Sequence, residues 1–451
     1  MPGRTRSAFD GHHPPDPELI ADCVHCGFCL PTCPTYALWG EEMDSPRGRI
    51  YLMKLASEGQ IELNETVVPH IDRCLGCMAC VTACPSGVQY DKLIESTRAQ
   101  VERHVPRSRS DRLFRRMLFE LFPYPKRMRA ALLGVALSER LGLRSLLRGT
   151  GLLDILSGRL DAMETVLPRL NVERLKPVRL PSVLRPYGPS RRRVGLIAGC
   201  VQRVLFGDVN AATARTLLAE GCEVVIPTEQ GCCGALELHA GEEERTLTRA
   251  RELIALFERA RVETIVINAA GCGSTLKEYG YLLRDEPFWA ARARAFSEKV
   301  RDISELLFEL EPRATYHPLR YRVAYHDACH LRHAQGVYAQ PRVVLGRIPE
   351  LELLEIAESE ICCGSAGIYN LVQPEAAREL GDRKAANVGA TGADAVATSN
   401  PGCLLQISSS LDRCGRSLPT LHPIELLDAS IRGVTPKALQ GMLKPATEPR
   451  P

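Results

Sequence analysis

A cysteine run occurs twice near the beginning of the chain, with the same spacing each time. The first copy has the order C-x2-C-x2-C-x3-C-P between Cys23 and Pro34, and the second repeats this order between Cys74 and Pro85. Gaps of two residues between successive cysteines allow three thiolates to bind one face of a cubane iron–sulfur cluster. This is the spacing of bacterial [4Fe–4S] ferredoxins, in which the fourth cysteine of each run binds the other cluster. We therefore predict two [4Fe–4S] clusters, one bound by Cys23, Cys26, Cys29 and Cys84, the other by Cys74, Cys77, Cys80 and Cys33.

Two other uses of such cysteines fit the pattern poorly. A tetrahedral zinc ribbon needs four ligands, whereas this stretch supplies two sets of four with matching C-P endings. A disulfide framework is typical of small secreted chains, whereas this chain has 451 residues and we expect no secretory signal. Its eighteen cysteines indicate a reducing cytosol, where cysteine clusters serve metal or redox chemistry.

The composition argues against two classes of partner. The formal net charge is only +3 with 25% charged residues, so the global charge does not suggest a nucleic-acid partner. No run of 18 uncharged apolar residues occurs, because the best candidate, 130–137, is followed by Glu139 and Arg140. We therefore expect no transmembrane segment. The polar, proline-rich residues 1–16 are expected to form a disordered lead-in.

The segment between the two cysteine runs is too long for a compact ferredoxin hairpin. Its Ser-Pro-Arg-Gly-Arg sequence at 45–49 leads into a helix-like pattern at 50–55. This predicts an α-helical ferredoxin-like domain over residues 17–100. Arg47 and Arg49 could offset the charge of a cluster or bind a partner's carboxylate. Ordinary solvated arginines fit the sequence equally well.

Residues 101–193 form a basic segment that we predict to be a helical linker. It contains 21 lysines and arginines against 8 aspartates and glutamates, which gives a net charge of +13. The runs 113–119 and 130–147 have the pattern of basic amphipathic helices, which can rest on anionic lipid or dock on an acidic partner. A solvated helical linker that covers the next domain fits slightly better.

From residue 194 the chain repeats itself with a period of about 130 residues. Each copy, 194–315 and 320–435, has three strand patterns, a Cys-Cys-Gly motif after the second and a last cysteine after the third. Short strands that alternate with helices predict parallel α/β units. Because the cysteines follow strands, we expect them at the sheet edges that bind ligands in open α/β folds, with the two edges facing each other.

The predicted fold class is therefore α+β with several domains. A helical ferredoxin-like domain and a basic helical linker precede two repeated α/β domains, named CCG domain 1 and CCG domain 2 after their motif. Residues 436–451 are expected to form a tail.

Four cysteines keep the same register in both CCG domains. They could hold a further Fe–S centre or a zinc ion, or the adjacent pairs could cycle between dithiol and disulfide. Cysteines that only pack in a core fit the unmatched Cys222 and Cys414 better. Four histidines, His239, His326, His330 and His333, are candidate extra ligands. The registered cysteines are Cys200, Cys232, Cys233 and Cys272, then Cys329, Cys362, Cys363 and Cys403.

The paired C-x2-C-x2-C-x3-C-P runs, the sequence at 45–49 and the two CCG domains resemble the iron–sulfur subunit of glycolate oxidase. The resemblance covers nearly the whole chain after residue 16. It implies that the eight N-terminal cysteines bind clusters and that separate flavin-binding subunits oxidise glycolate to glyoxylate. The layout is also similar to the iron–sulfur subunit of anaerobic glycerol-3-phosphate dehydrogenase.

CCG domains also occur in heterodisulfide reductases, where they hold a non-cubane cluster. The usual CCG pattern ends in C-x2-C, and this chain departs from it. Ala269 and Asn400 stand at the first position of that pair.

The absence of a dinucleotide-binding or flavin-binding motif in the sequence agrees with a role in electron transfer. The sequence contains no G-x-G-x-x-G after a strand that opens a helix, which would mark a dinucleotide or flavin site. Clusters move single electrons, whereas a 2-hydroxy acid releases two, so a flavin partner must separate the pair. We predict an electron-transfer subunit of a flavin-dependent 2-hydroxy-acid dehydrogenase that passes electrons to a quinone or other membrane acceptor. The expected location is the cytoplasm, or the inner face of the cell membrane as a peripheral protein touching it through residues 101–193.

Two other functions are consistent with the same residues. The CCG domains could themselves form a catalytic site that reduces a disulfide, as in heterodisulfide reductases. Alternatively, metals in the CCG domains could only brace the fold. No catalytic residue can be assigned from the sequence.

Overall fold

A computed structural model describes residues 7–140 and 175–443 of the chain. Within these ranges the α+β fold class is confirmed, because a helical N-terminal domain precedes two α/β domains built on mainly parallel sheets. No helix in these ranges is long and apolar enough to cross a membrane.

The N-terminal domain is helical, as predicted, and several of its helices begin at a proline, which suits the first turn. Its apolar core contains Met53, Ile71, Leu93 and Ile94. The helices are α1 (Pro17–Ala21), α2 (Pro34–Trp39), α3 (Pro46–Ser57), α4 (Val68–Arg73), α5 (Ala79–Thr82) and α6 (Tyr90–His104).

The sequence at 45–49 forms the beginning of α3. The Ser45 hydroxyl accepts a hydrogen bond from the Gly48 amide at 3.0 Å, and Pro46 occupies the first turn. A Cβ atom at Gly48 would overlap the carbonyl group of Glu42. Gly48 is therefore needed for the close approach of the chain before α3.

The prediction of a disordered lead-in is wrong for residues 7–16. The Ala8 amide donates to the Ala56 carbonyl at 2.9 Å, and Phe9 is buried. Asp10 accepts hydrogen bonds from Gln100 and Arg103. These contacts with α3 and α6 offset the entropy of ordering the segment, which composition alone does not reveal. Residues 1–6 lie outside the described residues.

The basic segment contains two described helices, α7 (Arg109–Leu121) and α8 (Pro125–Arg140). Leu118 and Phe119 of α7 are buried against apolar side chains of both CCG domains. The helix thus covers the following domains, as one of the two interpretations expected. Residues 141–174, which include the rest of the predicted helix at 130–147, lie outside the described residues.

CCG domain 1 contains a five-stranded sheet in the order β1-β3-β2-β4-β5, parallel except for β1. The strands are β1 (Val183–Leu184), β2 (Arg192–Leu196), β3 (Cys222–Val225), β4 (Thr264–Ile267) and β5 (Val300–Asp302). The helices are α9 (Val201–Leu205), α10 (Gly207–Ala219), α11 (Ala235–Leu238), α12 (Glu243–Ala260), α13 (Ala270–Leu282), α14 (Ala290–Lys299) and α15 (Ile303–Glu309).

CCG domain 2 contains a four-stranded parallel sheet in the order β7-β6-β8-β9. The strands are β6 (Tyr321–Tyr325), β7 (Leu351–Glu355), β8 (Ala395–Ala397) and β9 (Thr420–Leu421). A π-helix (His330–Ala334) follows β6, and the α-helices are α16 (Ala339–Leu345), α17 (Tyr369–Val372), α18 (Pro374–Ala390), α19 (Pro401–Arg413), α20 (Pro423–Ile431) and α21 (Pro436–Leu443).

Some predicted boundaries differ from the structure. Strand β1 falls in the predicted linker but pairs with β3, because an edge strand of two residues has no pattern of its own. Helix α21 falls in the predicted tail, yet its Leu439 is buried in the main core. Residues 444–451 lie outside the described residues.

One apolar core joins the two CCG domains. Leu196 and Leu217 from domain 1 belong to the same buried cluster as Val323 and Leu345 from domain 2. Helices α10 and α20 pack together, and the Arg215 guanidinium donates two hydrogen bonds of 2.8 Å to the Asp428 carboxylate. This packing fixes the relative position of the two sheets and of the loops at their carboxyl ends.

Candidate functional site

The cysteines assigned to the first cluster lie around one cavity. The backbone is left-handed at His25 and Gly27 of the first run, and at Gly76 and Met78 of the second. These are the same two positions in each run, so both runs follow the same path around their ligands. The cavity is lined by Cys23, Cys26, Cys29 and Cys84, as the crossed assignment requires, and also by Cys80.

The cysteines of the second set are buried together beneath the first. Burial raises the pKa of the Cys80 thiol, and repulsion from Cys77 and Cys74 raises it further. A buried thiol whose pKa is raised, as that of Cys80 is, fits a metal centre, because a bound metal displaces the proton and compensates the charge. The four residues are Cys33, Cys74, Cys77 and Cys80.

Two buried arginines lie beside the second set. Arg49 is 1% exposed and donates to the His70 carbonyl at 2.6 Å. Burial would lower the pKa of Arg49, but nearby Cys74 and other electron-rich groups raise it. Arg98 donates to the carbonyl groups of Cys74 and His239. Both are placed to offset the negative charge of a cluster.

The two arginines of the 45–49 sequence therefore have different positions. The interpretation of Arg49 as a solvated side chain is wrong, because its neighbours bury it. Arg47 is partly exposed and pairs with Glu42 at 2.6 Å. Arg98 was not singled out in the sequence, because an arginine on a helix gives no sign of its burial.

In CCG domain 1 the four registered cysteines meet at the carboxyl ends of the strands. Cys200 follows β2, the Cys232–Cys233 pair follows β3 and Cys272 lies in the first turn of α13. The Cys232 and Cys200 sulfurs are 3.4 Å apart. This set has no counterpart of His326, since Ile197 occupies the corresponding position of the first repeat.

CCG domain 2 adds a histidine to its cysteines. Ligand atoms of His326, Cys363 and Cys403 all lie within 4.8 Å of one another. His326 is fully buried, and neither of its ring nitrogens has a hydrogen-bond partner in the described part of the chain. A buried imidazole without partners, beside two thiols, fits a thiophilic metal ion or an Fe–S centre. The Cys329 and Cys362 sulfurs lie 3.9 Å apart in the same domain.

The cysteines of the two CCG domains face each other across one cleft, as predicted. The cleft is mainly apolar, with Phe122, Leu236 and Leu371 among its lining residues. Seven of the eight registered cysteines line it, the exception being Cys363. His239 and His330 also line it, with ring centroids 4.8 Å apart.

The remaining candidates lie elsewhere. Cys222 is buried in the shared core, and Cys414 is exposed at the end of α19, so neither joins the site. His333 lies 2.7 Å from the Thr82 hydroxyl of α5. It therefore joins the ferredoxin domain to CCG domain 2.

The second cluster set abuts CCG domain 2 directly. Cys77 belongs to the same buried group as Cys329 and Cys362, together with Tyr369. Burial, and then the nearby charge of Cys329, raises the pKa of the Cys77 thiol. The partly exposed first set, the buried second set and the cleft therefore follow one another in space.

Family models match three parts of the chain. A 4Fe-4S dicluster domain matches residues 19–88, and the cysteine-rich CCG domain matches residues 194–277 and 323–408. The linker region of the glycolate oxidase iron–sulfur subunit matches residues 110–167.

Several curated proteins are similar to this chain. A protein of Bacillus subtilis (strain 168) named "Probable glycolate oxidase iron-sulfur subunit" is 41% identical, over 91% of this chain and 94% of its own length. The glycolate oxidase iron–sulfur subunit of Escherichia coli (strain K12) is 38% identical, over 92% and 95%. Lactate utilization protein A of Exiguobacterium sp. is 29% identical over 53% of this chain. The chain therefore belongs to the family of glycolate oxidase iron–sulfur subunits.

Proposed function

We propose that this chain is the electron-transfer subunit of a flavin-dependent 2-hydroxy-acid dehydrogenase that oxidises glycolate to glyoxylate. The observation that carries the proposal is the spatial series of cysteine sets, from the partly exposed first set through the buried second set to the cleft. Two [4Fe–4S] clusters, when bound, accept and release one electron at a time. The chain's own residues hold the two clusters, insulate them from solvent and determine the route of electron transfer.

Electrons would enter at the first set. Cys26 is exposed, and the neighbouring Val24 and Phe28 are 68% and 66% exposed. Exposed apolar side chains beside a redox centre are typical of a partner interface. We assign this surface to the flavin-binding subunits, because their two-electron chemistry needs a one-electron acceptor nearby.

Electrons would leave at the cleft. The registered cysteines, with His326 in CCG domain 2, are proposed to hold a further metal or Fe–S centre there. The proposed acceptor is a quinone or another membrane acceptor.

Helices α7 and α8 carry the exposed apolar residues Leu113 and Leu137 among many basic residues. We propose that they hold the protein at the inner face of the cell membrane.

The test is to purify the complex anaerobically from its native host and add glycolate. Co-purification of a flavoprotein and bleaching of the broad visible iron–sulfur absorbance are the expected results. The double variant Cys26→Ser/Cys77→Ser should lower electron transfer from glycolate to native membranes about tenfold or more, because both clusters lose a ligand. Cys414→Ser, outside the site, is the matched control. Unchanged transfer in the double variant would refute the relay.

A second candidate function is the reduction of a disulfide in the cleft. It is favoured by the 3.4 Å distance between the Cys232 and Cys200 sulfurs and by the adjacent Cys232–Cys233 pair. It predicts that Cys232→Ser abolishes turnover of a disulfide substrate while both ferredoxin clusters stay intact. A protein whose spectrum responds only to glycolate would argue against this function.

A further inference from the structure

Two adjacent histidines of the N-terminal segment, residues 7–16, lie against the beginning of α12 in CCG domain 1. The rings of His12 and His13 are stacked, with their centroids 4.3 Å apart. His13 Nδ1 lies 2.7 Å from Glu243 Oε1, and His12 Nε2 lies 3.8 Å from Glu243 Oε2. One ligand atom from each of these three side chains lies within 4.8 Å of the other two. A single small cation can therefore bind all three after modest side-chain movements.

The backbone at His13 allows both imidazoles to lie on the same side of the chain. Successive side chains of an extended chain point to opposite sides. His13 instead has a φ of 48°, in the left-handed region, and Pro14 follows it directly. A residue other than glycine rarely adopts this region, and such unfavourable conformations are concentrated at sites that bind ligands. The conformation of His13 therefore supports a binding role for the pair of rings.

The carboxylates around these rings exceed what neutral histidines can satisfy. Asp285 Oδ2 lies 3.4 Å from His13 Nε2, so His13 has a carboxylate at each ring nitrogen. Glu244 Oε1 lies 3.4 Å from His12 Nε2. A neutral imidazole donates from one nitrogen and accepts at the other. One nitrogen of a neutral His13 therefore faces a carboxylate without a proton between them, and a cation at that position would relieve the repulsion.

The guanidinium groups nearby leave this place with an excess of negative charge. Arg103 Nη1 lies 3.5 Å from Glu243 Oε2, a buried atom without a hydrogen-bond partner among the described residues. That guanidinium also donates two hydrogen bonds to Asp10, and Arg284 lies 3.4 Å from Asp285. With Asp10 included, four carboxylates have two guanidinium partners within 4 Å in the part of the chain that the structure describes. Two negative charges thus remain when the histidines are neutral, and a divalent cation balances that charge.

The donor atoms indicate which metal ion fits. Mg²⁺ and Ca²⁺ prefer oxygen ligands alone, whereas imidazole nitrogen together with carboxylate oxygen suits zinc. Zinc often takes three protein ligands and a water molecule. The side chain of His12 is 51% exposed, whereas those of His13 and Glu243 are 19% and 12% exposed. The group is therefore open to solvent on one side, where a water molecule or Asp285 can complete the coordination.

We propose that His12, His13 and Glu243 bind a zinc ion that fastens the N-terminal segment to CCG domain 1. The segment continues into α1, which leads to Cys23 of the first cysteine run. The zinc ion would thus fix the path by which the chain enters the ferredoxin domain. None of the three ligands belongs to the cysteine sets, so the site does not depend on the proposed electron relay.

The test uses the full-length protein, loaded with its clusters and handled anaerobically. Bound divalent ions are removed with EDTA, and Zn²⁺ or Mg²⁺ is then added. Backbone hydrogen exchange in residues 7–16, followed by mass spectrometry, should slow about tenfold or more with Zn²⁺, because zinc binds only the docked segment. Mg²⁺ should leave the exchange unchanged. Elemental analysis after dialysis measures the zinc bound per chain.

Two variants remove the ligands without opening a cavity in the core. Glu243→Gln keeps the shape of the side chain but removes its charge, and the double variant His12→Asn/His13→Asn removes both imidazoles. Each should bind one zinc ion fewer per chain and lose the effect of Zn²⁺ on hydrogen exchange. Glu252→Gln, the same change at an exposed position of α12, is the matched control and should behave as the wild type. Because the measured quantity is the ratio of exchange rates with and without Zn²⁺, a segment that is looser without metal is still informative.

The comparison between wild type and variants separates this site from the cysteines. Zinc bound by cysteines of the CCG domains would be the same in all proteins, so equal zinc content in wild type and variants would overturn the proposal. Hydrogen exchange in residues 7–16 that neither EDTA nor Zn²⁺ changes would show that ion pairs alone hold the segment, which also overturns it. None of these measurements involves glycolate, so their outcome is independent of whether glycolate bleaches the clusters.

Discussion

At the scale of single residues, the second cluster set depends on one buried carboxylate. Asp44 is fully buried and contacts Arg49 at 3.3 Å, His70 at 2.9 Å and Arg73 at 3.0 Å. The carbonyl of Asp44 also approaches the Cys33 sulfur at 3.7 Å. A buried charge is tolerated only while its partners remain, so these contacts tie the position of a cluster ligand to an ion network.

The substitution Arg49→Met tests this dependence. It leaves Asp44 with less compensation and removes the donor to the His70 carbonyl, so the free energy of unfolding should fall by about 3–5 kcal/mol. Thermal unfolding of the anaerobic protein, followed together with iron content, measures the effect. Arg47→Met is the matched control and should change stability by less than about 1 kcal/mol, since Arg47 is partly exposed. Equal effects of the two substitutions would contradict the role of Asp44.

At the scale of elements, α7 has two different faces. Leu118 and Phe119 are buried against the CCG domains. On the outer face, Leu113 and Met117 are 71% and 39% exposed, with Arg112 and Arg116 one residue before each. The inner face fixes the helix over the cleft, and the outer face presents apolar and basic side chains together. That combination is typical of helices that lie on anionic membranes.

The double charge reversal Arg112→Glu/Arg116→Glu tests the outer face. Each basic residue near an anionic surface contributes about 1 kcal/mol, so binding to phosphatidylglycerol vesicles should fall about tenfold or more. Sedimentation with vesicles measures the bound fraction, and raised salt should weaken wild-type binding in the same direction. Arg320→Glu/Arg322→Glu, on a different part of the surface, should leave binding unchanged. Equal binding by wild type and the α7 variant would refute the membrane contact.

At the scale of the whole molecule, the two CCG domains share a core and should unfold together. Leu217 is fully buried in the cluster that also contains Val323 of the second domain. By contrast, Leu253 belongs to a cluster formed by CCG domain 1 alone. The cleft keeps its shape because both of its walls are built on the shared core.

The pair Leu217→Ala and Leu253→Ala separates shared from local packing. Each substitution should lower the free energy of unfolding by about 2–5 kcal/mol. Native-state hydrogen exchange should show lost protection in β2 and also in β6 for Leu217→Ala, but only in CCG domain 1 for Leu253→Ala. Confinement of both effects to the first domain would show that the domains unfold independently.

Several features were accessible from the sequence because they depend on short-range geometry. The spacing from Cys23 to Cys33 already determines which thiolates can meet one cluster, and a constant offset of about 130 residues reveals the duplicated domain. The helix beginning at Pro46 follows from local capping by Ser45. In each case the physical cause lies within a few residues or within a repeated pattern.

Other features arose only in the tertiary structure. In the sequence, Arg49 fits a solvated side chain as well as a cluster partner, Arg98 gives no sign of its burial, and Glu95, Glu278 and His239 are far apart in the chain. Their burial and mutual contacts depend on how α6, α13 and the CCG loops pack, and burial is what shifts their protonation. The sequence by itself therefore determined the candidate cluster ligands, the repeat and the fold class, because these depend on spacing. Only the tertiary structure decided the spatial order of the cysteine sets and the form of the cleft, because these depend on contacts between distant elements.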